Sequence, residues 1–153
     1  MSSRLFQNVR EKRGLVYSIF SMLNLYRDAG ALVVYAGMAP DKAMEVMDLT
    51  VREFRRLREQ FVPYQELKRA KENIKGSVML SLESSSSRMT HLAQQLIYYD
   101  RLKTLEEILG AVERVSARDI RNLANRIFTS SYLTLTALDS RNGSSLKSAA
   151  MEV

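Results

Sequence analysis

The chain has 153 residues, a net charge of +6, 46% hydrophobic and 26% charged residues, a balance that excludes fibrous and disordered classes and supplies enough apolar side chains for one packed core. It has no cysteine and a single histidine, which removes disulfides and thiolate chemistry and leaves it short of the two or three histidines that a catalytic zinc usually takes. No apolar run approaches the ~20 residues that span a bilayer, and the opening SSRLFQNVREKRG has no apolar signal core, so no membrane association and a cytoplasmic location are expected.

Ser2 and Ser3 can cap a short helix through Leu5, Phe6 and Val9, with Gly14 placed to end it in a left-handed turn. Residues 16–26 (VYSIFSMLNLY) and 31–38 (ALVVYAGM) are rich in aromatic and branched side chains. Separated by RDAG, they predict an antiparallel hairpin with its loop around residues 28–30. Pro40 and Asp41 open a helix in which Ala43, Met47, Thr50, Phe54 and Leu57 recur at helical spacing as core, leaving Arg52, Arg55 and Arg56 in water. Pro63 restarts the chain into a long helix with Leu67, Ala70, Ile74 and Val78 on one stripe, ending near Leu82.

The serine run 84–87 competes for backbone hydrogen bonds, predicting a break and a new cap before Met89, Leu92, Ala93 and Leu96. Thr104 and Glu107 have capping-box spacing ahead of one short helix, and Ser116 caps another through Ile120, Leu123, Ala124 and Ile127. Residues 132–138 (YLTLTAL) alternate apolar and polar types, the signature of a half-buried strand. The expected architecture is α+β, with helices packed on a small antiparallel or mixed sheet that three strands leave thin. Residues 1–139 form this incomplete domain and 140–153 a disordered tail. An unpaired sheet edge would suit a second copy of the chain as partner.

The segment SSRLFQNVREKRGLVYSIF joins a charged helix end to a strand through Gly14. Arg10 and Tyr17 lie seven residues apart across that junction, where a guanidinium and a phenol can both donate to a peptide carbonyl. Read from these residues alone, VREKR is a solvated helix face and Tyr17 a strand aromatic. The basic charge is interspersed with Glu and Asp, and Arg118, Arg121 and Arg126 spread around the axis of their helix, so no nucleic-acid partner is expected.

MSSRLFQNVREKRGLVYSIFS, AGMAP, VPYQELKRAKENIKGSVMLSLESSSSRM and VSARDIRNLANRIFTSSYLTLTAL together resemble, in order, the M16 family of zinc metallopeptidases (insulinase, pitrilysin and mitochondrial processing peptidase), in particular its short bacterial processing-protease branch. The resemblance implies the C-terminal, non-zinc half of a clamshell, an incomplete M16-type half of LuxS/metallohydrolase-like α+β form. Zinc would be held in the other half by an H-x-x-E-H helix that this sequence lacks. His91, in RMTHLAQQ, has no partner histidine at helical spacing and reads as a structural or surface residue. In such enzymes an Arg and a Tyr seven apart position substrate, and these correspond to Arg10, for the peptide backbone, and Tyr17, for the scissile carbonyl. The implied function is the substrate-binding portion of a zinc-dependent endopeptidase acting on peptides or presequences, inactive alone. Its zinc-binding half would come from elsewhere in a longer chain, of which Met1 is an internal residue, or from a partner subunit. The resemblance also admits a non-catalytic structural subunit.

Overall fold

In the computed structural model, which describes residues 3–138, the first turns already depart from a plain α-helix. Lys12 N–H donates to Gln7 O at 3.1 Å, the wide five-residue step of a π-helix over Phe6–Glu11. Ser3 Oγ accepts from Phe6 N–H at 3.3 Å, so the Ser3 part of the expected cap forms; Ser2 and the expected tail 140–153 lie outside the described residues. Gly14 ends the helical segment at φ +61°, a conformation that costs glycine little because it has no Cβ.

The hairpin forms as its aromatic and branched composition and the RDAG turn predict. Strands β1 (Ser18–Leu25) and β2 (Gly30–Gly37) pair antiparallel from Ser18↔Gly37 to Leu25↔Gly30. Ile19, Val34 and Ala36 face one side and join the core, while on the other Phe20 stacks on Tyr35 at 5.0 Å with both rings half exposed. A 3-10 turn over Pro40–Lys42 leads into α1 (Ala43–Glu59). The buried line of α1 is Val46, Met47, Val51 and Glu53, displaced from the expected Ala43, Met47, Thr50, Phe54 and Leu57 stripe because Val46 packs into the cluster of Val9, Val16 and Ile19.

One expected strand is absent. Tyr132 lies in a 3-10 turn over Ser130–Tyr132, and residues 133–138 form no ladder. Alternation supplies the two faces of a strand but not its hydrogen-bonding neighbour, and the sheet of the described residues has β1 and β2 alone. The α+β class stands with a two-stranded sheet in place of three strands.

The chain divides into two compact units, Met1–Gln60 with Asn122–Val153, and Phe61–Arg121; the division falls inside α5 (Ala117–Ile127). The first unit holds the core just described, together with Phe54 stacked on Phe128 at 4.2 Å and the Asn125 side chain donating to Arg58 O at 3.1 Å.

The second unit contains α2 (Tyr64–Ser81), α3 (Ser85–Tyr99) and α4 (Leu105–Arg114). Pro63, Ser84 and Thr104 begin these helices as expected: Ser84 Oγ accepts from Ser87 N–H, and Thr104 and Glu107 complete the reciprocal capping box. Lys71 Nζ donates to Glu113 O at 2.6 Å and Lys75 Nζ to Glu113 Oε2 at 3.1 Å, linking α2 to α4. The apolar stripes of this unit are not core. Ile74 is 49% exposed and Met89 68% exposed, because helical periodicity marks a face without supplying a layer to cover it.

Two outcomes follow from this packing. Val9 is completely buried, so Val9→Ala should lower unfolding stability by about 2 kcal/mol through lost burial and a residual cavity, read in urea titrations followed by circular dichroism. The Glu107 carboxyl sits below its ordinary range because Thr104 N–H and then Arg101 donate to it, and Asp119 does so because the Ser116 hydroxyl and then its N–H donate. A carboxylate depressed in the folded state contributes stability that is complete above its unfolded pKa and is lost as pH falls through the folded value. Melting temperature should therefore fall as acid enters and passes below the ordinary carboxylate range, and the Glu107→Gln, Asp119→Asn double variant should show a shallower fall.

Candidate functional site

The helix-to-strand junction is closed by three backbone bonds. Gly14 N–H donates to Arg10 O at 2.9 Å, Leu15 N–H to Val9 O at 3.1 Å, and Tyr17 N–H to Gly37 O at 2.7 Å. The first two fold the chain back on the end of the π-helix, and the third places Tyr17 at the head of the hairpin. Val9 and Val16 are both buried in one cluster with Ile19 and Val46. Each is followed directly by an exposed polar residue, Arg10 after Val9 and Tyr17 after Val16.

Tyr17 is 74% exposed, and its hydroxyl makes no hydrogen bond among the described residues. The Arg10 guanidinium carbon lies 5.2 Å from the centre of the Phe6 ring, a cation–π contact that steadies the side chain without consuming its N–H donors. The structure brings the two residues onto one anchored junction and forms no direct bond between their side chains. Chemically, it presents a forked cationic donor and a free phenol, both able to donate to carbonyl oxygens of an extended chain.

The same unit holds a buried group that helical periodicity did not disclose. Glu53 is 7% exposed, and its Oε1 accepts from Asn8 Nδ2 at 2.8 Å and from Arg56 Nη1 at 3.1 Å. Its only signal in the sequence is its place seven residues after Val46, on the same helix face. Gln95 was missed for the same reason. It is buried, its Oε1 accepts from Lys103 N–H, and its amide nitrogen therefore donates to His91 Nε2 at 2.7 Å.

That bond occupies the Nε2 lone pair of His91. Among the described residues no group of three or more His, Cys, Asp or Glu side chains could hold a metal ion. No helix of the described residues is long and apolar enough to cross a membrane.

Comparison with known proteins supplies the family. Residues 1–74 match the family described as the peptidase M16 inactive domain. The zinc protease YmxG of Bacillus subtilis is 36% identical over 132 residues, covering 86% of this chain and 32% of that protein. A zinc protease of Mycobacterium tuberculosis is 36% identical over 132 residues, covering 86% and 30%, and one of Rickettsia bellii is 34% identical over 131 residues, covering 86% and 32%. The chain thus spans about a third of the length of the curated relatives it matches.

Among solved structures, a chain of complex III2 from Candida albicans, bound to Inz-5, superimposes with a TM-score of 0.73 at 20% identity, over 82% of this chain and 30% of that one. The periplasmic protease PqqL from Escherichia coli gives 0.59 at 19% identity, over 80% and 14%; at these identities the likeness concerns the fold. The family match and the curated relatives together place the chain in the M16 family, its residues 1–74 matching that family's inactive domain.

Proposed function

We propose that this chain is the substrate-binding portion of a zinc-dependent endopeptidase acting on peptides or presequences, with the zinc ligands and the general base supplied by another part of the protein or by a partner subunit. The observation that carries this reading is the pair of exposed donors, Arg10 and Tyr17, each following a valine buried in the same cluster. Loose surface side chains would lose several rotatable bonds on gripping a peptide. Here the backbone beneath both is already held, so gripping a peptide adds the ordering of the side chains without that of the backbone.

Arg10 is suited to the peptide backbone, since its fork can donate to one or two carbonyls. Tyr17 is suited to the scissile carbonyl. Its hydroxyl can donate more strongly as negative charge develops on that oxygen, an interaction that favours the transition state over the bound substrate.

A second reading, a structural subunit without catalysis, is favoured by the fold shared with a chain of complex III2. The two readings separate in the whole protein. With a quenched-fluorescent casein peptide as substrate, Arg10→Ala should raise KM about tenfold, and Tyr17→Phe should lower kcat by about a hundredfold with little change in KM. Unchanged kinetics in both variants would favour the structural subunit and contradict the peptide-holding role.

A further inference from the structure

Asn8 is the hub of the π-helix that carries Arg10. Its side-chain nitrogen donates to Glu53 Oε1 at 2.8 Å, its Oδ1 accepts from Lys12 Nζ at 3.3 Å, and its backbone carbonyl accepts from Arg13 Nη1 at 2.7 Å. Glu53 lies 45 positions further on, in α1. Its carboxylate is nine-tenths buried, with Arg56 on Oε1 and Arg4 Nη1 at 4.0 Å from Oε2; among the described residues no hydrogen bond reaches Oε2. A carboxylate withdrawn from water in this way needs its remaining partners, and an incompletely satisfied one is costly to keep. Its presence beside the Arg10 helix calls for a reason.

The wide turn supplies one. A π-helix holds one more residue per hydrogen-bonded step than an α-helix, and reversion of a single step rotates everything beyond it by ~100° about the axis. Such a rotation between Asn8 and Gly14 would carry Arg10 to another face. The Asn8–Glu53 bond ties the helix to α1 within the segment where that step occurs, and Val9, beside it, is fixed in the core.

We propose that Glu53 is a positioning residue that, through Asn8, holds the π-helical register and so aims Arg10 at the peptide; this rests on the reading of Arg10 as a peptide-holding group. Asn8→Asp sets two carboxylates against each other and should release the register. Adding Glu53→Gln to it restores the bond with its polarity reversed, the glutamine amide donating to the new carboxylate. In the whole protein, cleaving a quenched-fluorescent casein peptide, Asn8→Asp should raise KM about tenfold with kcat nearly unchanged, and the double variant should recover to within about threefold of the parent.

Should Asn8→Asp fail to fold, Asn8→Ala breaks the bond without adding charge and should raise KM in the same direction. Arg10→Ala runs beside these variants. If it raises KM while the Asn8 variants do not, or if the double variant is no better than Asn8→Asp alone, the positioning role of Glu53 is overturned and the reading of Arg10 survives. If Arg10→Ala leaves KM unchanged, both are overturned.

Discussion

The burial of Val9 and Val16 in one cluster with Ile19 and Val46 is the constraint on which the rest depends. Val9 comes from the π-helix, Val16 from the approach to β1, Ile19 from the strand and Val46 from α1. Four short stretches of chain, none of them stable alone, are thereby held in one arrangement. Because the two valines point inward, the residues that follow them are directed to the surface, and those residues are Arg10 and Tyr17. The chemistry of the junction is therefore a consequence of packing: the apolar contacts fix the backbone, and the backbone fixes the donors.

Around this cluster, polar groups settle what apolar contacts leave open. Hydrophobic packing is non-directional and tolerates small rotations of a helix about its own axis. A buried carboxylate with a directional donor does not. Glu53 and Asn8 thus give the π-helix an orientation that Val9 alone would not specify. Gly14 then allows the sharp reversal that brings Leu15 N–H back to Val9 O. The helical unit Phe61–Arg121 is organised differently. Its caps are well formed, but much of its apolar surface, Met79, Leu80, Met89 and Ile97 among it, is open.

The features that were legible in the sequence are those governed by local chemistry. The turn residues before Gly30, the left-handed position of Gly14, the capping box of Thr104 and Glu107 and the cap at Ser116 all depend on residues within a few positions of one another, and all formed. Arg10 and Tyr17 were found through a resemblance spread along the chain, since their spacing alone is ambiguous. The misses depend on distant partners. Residues 132–138 have the alternation of a strand and no ladder, Ile74 has the spacing of a core residue and no cover, and Glu53 and Gln95 are polar residues whose burial is decided by groups from other parts of their units. The π-helix has no sequence signal in this chain, because one widened step leaves the composition of the segment unchanged.

The most direct measurement is a double-mutant cycle on Arg10 and Tyr17 in the whole protein, with kcat/KM for a quenched-fluorescent peptide determined for Arg10→Ala, Tyr17→Phe and the two combined. Two groups fixed by one buried cluster and gripping one peptide should be coupled, so the combined loss should fall short of the product of the single losses by about tenfold. Losses that multiply without coupling would mean that the two side chains act independently, and that the junction built on Val9 and Val16 does not present them as a single substrate-holding surface.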